Sequence, residues 1–215
     1  MNTQEQFVIT VSREVGSGGR TIGRLLAEKL NVRYCDKELI EKLISQFGLS
    51  VAEIEKIKAR KKNFLTDLFA HVNLPGRPEA YMYQTPLDVQ GLDATADEIF
   101  ACEKAILLDL AAQESCVIAG RSAFFVLKDH PNILNVFIQA SDEKRLERIM
   151  RRQNVTRQEA ADIMQAVDAG REQFVKRFAG TSRYDARNYD LVMNVDGMTE
   201  EDAVACILHF IEKKK

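Results

Sequence analysis

Between Arg13 and Thr21 the chain reads Arg-Glu-Val-Gly-Ser-Gly-Gly-Arg-Thr. Glycines at 16, 18 and 19 let a backbone curl closely around an anion, because no side chain blocks the approach. Phosphates bind where several backbone N–H groups converge at the start of a helix. Gly16, Ser17, Gly18, Gly19, Arg20 and Thr21 are therefore candidates for holding the phosphates of ATP. Arg20 would add positive charge, and Thr21 offers a hydroxyl that can reach Mg²⁺. The pattern is related to G-x-x-x-x-G-K-[ST], with Gly19-Arg20-Thr21 at its last three positions and Glu14 where its first glycine would fall. A guanidinium is broader than an ammonium and places its donors differently. The dinucleotide pattern G-x-G-x-x-G fits less well, since Thr21 stands at its last glycine, although Asp36 could serve as its acid.

A second concentration of chemistry lies between Lys144 and Arg187. Arg145, Arg148 and Arg152 have i, i+3, i+7 spacing and share one helix face. Arg171 and Arg177 fall on the next helix. Positioned arginines stabilise the negative charge that develops in phosphoryl transfer, so the segment 144–187 reads as a lid. The blander alternative is a solvated helix pair, with Glu147, Glu159, Asp162, Asp168 and Glu172 as charge partners. Two further candidates sit where strands end, which is where α/β folds place ligands. Arg121 follows one strand and is expected to bind substrate. Asp36 follows another and either meets the acceptor or caps the next helix.

These residues need elements to hold them. Phe7–Val11 is a short β-rich run that ends at Ser12 and leads into the glycine turn. A helix is predicted over 20–30. A second strand covers Val32–Cys35, and helices follow over 39–47 and from Ser50 to about Lys62. From Val72 to Asp93 the pattern fails. Pro75, Pro78 and Pro86 mark a long loop there, and Arg77, Tyr81, Tyr83 and Gln84 could contact an acceptor. Thr95 and Glu98 open a helix to about Gln113, and Thr156 and Glu159 open another. Strands are predicted at Cys116–Ala119, Ile133–Ile138 and Leu191–Val195, with a last helix from Thr199. Alternation of this kind implies a parallel β-sheet flanked by helices, an α/β fold.

Several segments resemble the cytidylate-kinase-like branch of the P-loop nucleoside monophosphate kinases. They are Ile9–Glu14, Gly16–Arg20, Ile22-Gly23, Leu26–Leu30, Tyr34–Ile40, Ile118–Arg121, and Asn188–Leu191 with Asn194. The resemblance spans nearly the whole chain apart from 72–93. It implies a P-loop fold, ATP as phosphoryl donor, Mg²⁺ and a nucleotide-like acceptor such as CMP or dCMP. It also implies an arginine-bearing lid, in which Arg171, followed by Arg148, Arg152 and Arg177, is the expected contributor. Two positions depart from that pattern. A gapless comparison puts Gly19 at the P-loop lysine, and Ala119 and Ser122 flank Gly120-Arg121 where acids are usual. These departures keep a second reading open, a catalytically weak nucleotide-binding regulatory protein. A kinase for another small acceptor is a third.

Composition narrows the field. The 215 residues are 46% hydrophobic and 29% charged, enough for one sizeable core. A net charge of −2 offers no reason to expect nucleic acid as partner. No apolar run is long enough to span a membrane, and the polar start does not resemble a secretory signal, so a single cytoplasmic domain over 1–215 is expected. Cys35, Cys102, Cys116 and Cys206 are far apart, which favours reduced core thiols over a metal site or disulfides. His71, His130 and His209 have neither triad-like nor metal-like spacing. The sequence leaves the oligomeric state open.

Overall fold

A computed structural model of the protein describes residues 1–36 and 96–214. The helices expected over 39–47 and 50–62, and the 72–93 loop, lie outside the described residues. Five strands form one parallel sheet: β1 (Val8–Arg13), β2 (Arg33–Asp36), β3 (Cys116–Ala119), β4 (Ile133–Gln139) and β5 (Leu191–Asn194). Their order across the sheet is β2-β3-β1-β4-β5. The first strand thus lies at the centre, and the chain departs from it to one side and later to the other. A crevice opens at such a switch point, outside the carboxyl ends of the strands.

Hydrophobic strands buried on both faces need cover on both faces. Helices α1 (Gly19–Leu30) and α6 (Glu200–Lys213) cover one. Ile22, Leu26, Val204 and Ile207 pack there against Ile9, Val11, Val136 and Ile138. On the other face α2 (Ala96–Gln113) and the four-residue α3 (Ala123–Val126) pack Ile106, Leu107 and Leu110 against Val8, Cys116 and Ile118. A third, smaller core belongs to α4 (Asp142–Gln153) and α5 (Arg157–Ala179), where Leu146, Ile149 and Ala160 enclose Val15 of the glycine turn.

The expected elements are present, with three differences. β1 runs through Arg13 rather than ending at Ser12, because the longer β4 keeps pairing with it, Arg13 opposite Ile138. The Glu14 N–H then donates to the Ile138 carbonyl at 3.1 Å. The short α3 was not foreseen: it follows three successive left-handed residues, Gly120, Arg121 and Ser122, which no periodicity announces. Cys206 is not a core thiol. It is exposed on α6, away from the apolar stripe of Ala203, Val204, Ile207 and Ile211. The Thr156–Glu159 capping box forms as expected, each residue bonding the other's backbone N–H. Among the described residues no helix is long and apolar enough to cross a membrane.

Burial separates the four thiols chemically. It pushes the Cys35 thiol up, and the Cys116 thiol up to about 12, so neither forms thiolate near neutral pH. Titration of the native protein with a thiol-specific dye at pH 8 should therefore label Cys206 rapidly, and the buried Cys35, Cys102 and Cys116 only after denaturation. Fast labelling of several thiols in the native state would contradict this packing.

Candidate active site

The turn after β1 places its glycines where side chains could not go. Gly16 and Gly18 adopt φ of 81° and 85°, in the left-handed region that favours glycine. A Cβ on Gly16 would meet the Arg145 carbonyl oxygen at 2.6 Å, and one on Gly18 would meet the Arg148 guanidinium at 3.0 Å. Gly18 is the N-cap of α1, and no side chain caps that helix. The N–H groups of its first turn therefore face the loop without an intrahelical acceptor, at the positive end of the helix. Ser17 is buried, and its hydroxyl donates to the Glu14 carbonyl at 2.9 Å, which tightens the turn from inside.

Arginines of α4 line this turn, as their shared helix face allows. Arg145 Nε donates to the Val15 carbonyl at 2.8 Å. Arg148 lies against Gly18 and pairs with Glu200 at the start of α6. Arg152 Nη2 donates to the Thr21 hydroxyl at 3.4 Å. Arg171 of α5 reaches the Arg13 carbonyl at 3.2 Å.

One carboxylate gathers these contacts. Asp168 of α5 is buried and accepts from the Val15 N–H at 3.2 Å, Arg183 Nη1 at 3.0 Å and Arg145 Nη2, with Arg171 Nη1 at 3.5 Å. Arg183 also donates to the Arg13 carbonyl. Glu14 is fastened as well: it accepts from the Ala140 N–H at 3.2 Å and lies 3.6 Å from Arg145. Burial pushes the Glu14 carboxyl up, while Arg145 and the Ala140 N–H pull it down.

The neighbouring strand ends carry charge of their own. Arg20 turns away from the loop toward β2, where its Nε donates to buried Asp36 at 2.8 Å. The Tyr34 hydroxyl donates to the Arg20 carbonyl at 3.3 Å. Burial raises the Tyr34 pKa further above its usual value, so it is a neutral phenol at neutral pH. Arg121 follows β3 with φ of 58° and meets Glu103 of α2 at 2.7 Å. A non-glycine residue in that region at a strand end is a strained arrangement of the kind found at functional sites. Arg177 stands apart from the loop, paired with Asp97 at 2.6 Å over the Phe178 ring. The structure thus brings Gly16–Thr21, Arg148, Arg152 and Arg171 together, places Asp36 and Arg121 at adjacent strand ends, and leaves Arg177 outside.

This geometry agrees with the comparisons. The sequence profile of the cytidylate kinase-like family matches residues 8–197. The chain belongs to that family. It is 24% identical to a cytidylate kinase of Sulfolobus acidocaldarius, over 96% of this chain and 94% of the relative. It is 26% identical to an S-adenosylmethionine-dependent nucleotide dehydratase of Lacinutrix mariniflava, over 95% of this chain but 36% of that longer protein. Its fold is that of a solved, uncharacterized protein from Eubacterium ventriosum, with a TM-score of 0.64 and 24% identity over 97% of this chain and all of that one. A sugar kinase from Janibacter matches with a TM-score of 0.52 and 13% identity over 98% of this chain and 96% of that one.

Within this member of the cytidylate kinase-like family, the residues that organise the site include several that spacing did not single out. Asp168 read as a surface partner, and Arg183 as one arginine among many. Arg13 drew no role, although it is the last residue of the central strand. Glu103 sits on a helix that seemed merely amphipathic. What marks them is burial of charge, which a one-dimensional pattern does not display. Breaking a buried charge cluster leaves its partners unpaired in a poor solvent. Asp168→Ala should therefore lower unfolding stability by about 3–5 kcal/mol in urea titrations, whereas removing exposed Glu143, paired with exposed Arg157, should cost under about 1 kcal/mol. Equal effects at the two sites would contradict the ranking.

Proposed function

We propose that the protein transfers the γ-phosphoryl group of ATP to a nucleoside monophosphate, CMP or dCMP being the first candidates. The observation that carries this reading is the uncapped first turn of α1 beyond the central strand, walled by the guanidinium groups of Arg148 and Arg152. Membership of the family and the similarity to cytidylate kinases at 24% and 23% identity support the same chemistry. The loop from Gly16 to Thr21 would hold the donor phosphates through backbone N–H groups. The Thr21 hydroxyl would contribute to a Mg²⁺ site: it keeps a free lone pair beside its bond from Arg152, and Mg²⁺ takes most of its ligands from phosphate and water. Asp36 and Arg121 at the ends of β2 and β3 would face the acceptor, and Arg20 would tie Asp36 to the loop. Phosphoryl transfer then needs positioning and charge rather than a covalent nucleophile.

Arg148, Arg152 and Arg171 would stabilise the charge that grows on the transferring group. In this reading the segment 144–187 acts as the lid. Its base is fastened to the loop through Asp168, Val15 and Arg145, so closing motion belongs to the far end, where α4 passes to α5. Hydrogen exchange with ATP and acceptor bound should show new protection at 150–158, and unchanged exchange there would argue against a lid.

A second reading rests on one observation: Arg20 is engaged by Asp36, and no lysine stands in the loop. Such a protein would bind nucleotide with little turnover, a regulatory role. A coupled ADP-release assay across CMP, dCMP, UMP, AMP and non-nucleotide acceptors separates the two. Turnover with one acceptor is expected. Binding of ATP without turnover on any acceptor would favour regulation. With the working acceptor, Arg171→Ala should lower kcat by about 10³-fold or more while Arg121→Ala chiefly raises the acceptor KM. Parent-like kinetics for both variants would remove them from the site.

A further inference from the structure

The loop lacks a lysine because another cation occupies its path. A Cβ built on Gly19, the position of the P-loop lysine, would lie 2.5 Å from Arg13 Cβ and 3.0 Å from Arg13 Cγ. Any side chain at 19 would start inside the Arg13 stem. From there the Arg13 side chain crosses to β3, where a Cβ on Gly120 would overlap Arg13 Nη1. Two glycines on two elements therefore clear the way for one arginine. Its guanidinium ends in the crevice between β1 and β3, at the switch point of the sheet.

The surroundings do not neutralise this group. Among the described residues the Arg13 side chain makes neither an ion pair nor a hydrogen bond, whereas Arg20, Arg121, Arg145, Arg148 and Arg183 each contact a carboxylate. Asp36 and Tyr34 favour its charge, while burial and the nearby cations Arg183 and Arg121 oppose it and lower its pKa. A partly buried arginine among arginines is stabilised by a polyanion in the same crevice.

We infer that Arg13 is the phosphate-binding cation of the loop, reaching from the strand end along the path a lysine at position 19 would take. Gly19 and Arg13 are then one device: the glycine makes room, and the arginine supplies the charge. An arginine there presents several donors in a plane, so it can bridge two phosphate oxygens where an ammonium acts as a point charge. The assignment rests on the phosphoryl-transfer reading only for its choice of ATP phosphates as the ligand.

Calorimetric titration with inorganic tripolyphosphate and with a non-hydrolysable ATP analogue tests it without needing an acceptor. Arg13→Met keeps a stem against Gly19 and Gly120 and removes the charge. It should weaken both ligands by about tenfold or more, with a melting temperature near that of the parent, and Arg13→Lys should recover part of the loss. Arg24→Met, which removes an exposed arginine paired with Glu28 on α1, serves as the control. Gly19→Lys alone should disturb folding or binding, while the exchange variant Arg13→Gly/Gly19→Lys should bind tripolyphosphate better than Arg13→Gly. Affinity of Arg13→Met within twofold of the parent overturns the assignment, and so does a Gly19→Lys variant that folds and binds like the parent. If no acceptor is turned over by the parent yet Arg13→Met loses affinity, phosphoryl transfer falls and the role of Arg13 stands. If the parent turns over CMP and Arg13→Met matches it, the reverse holds. A parent that binds neither ligand overturns both.

Discussion

The Asp168 carboxylate is the interaction on which the site depends. It joins the backbone of the glycine turn to Arg145, Arg171 and Arg183, which come from α4, α5 and the segment beyond. A lone buried carboxylate would be costly, and so would buried Arg145 and Arg183 without it. Each is tolerated because the others are present. The consequence is geometric. The turn that precedes α1 cannot shift without moving the arginine helices, and Arg148 and Arg152 stay within reach of Gly18 and Thr21.

Apolar packing makes the same connection. Val15, within the turn, is buried among Leu146, Ile149 and Ala160 rather than in either core of the sheet. The loop is thus the joint between two bodies, the covered sheet and the α4–α5 pair. Charge and hydrophobic contact act at adjacent residues of one loop, so binding an anion there would be felt by both bodies. The parallel sheet sets the other boundary. Its register puts Asp36 and Val11 opposite Ala119, so the ends of β1, β2 and β3 open on one crevice.

The sheet and most helices were legible in the sequence because strand alternation with amphipathic helices leaves few topologies open. The β-rich run at 8–11, the capping pair Thr156–Glu159 and the 145/148/152 face all appear in the structure where their spacing put them. The glycine turn was legible for the same reason: its composition has few uses between a strand and a helix. Boundaries were less so. β1 extends to Arg13 because β4 continues beside it, and α3 exists because three left-handed residues reverse the chain after β3.

The partnership of charges was decided only in three dimensions. Arg20, adjacent to the glycines, spends its Nε on Asp36, sixteen positions away, while Arg145 reaches the loop from 130 positions away. Proximity in the chain says little about which carboxylate an arginine will find, since ion pairs act over a few ångströms and loops carry distant segments that close. Local patterning and family-specific segments determined the fold and the general location of the phosphate site. Tertiary structure determined which cations stay bound to acids, which one keeps its charge uncommitted, and why a glycine stands where a lysine would be expected: the space beside it belongs to Arg13.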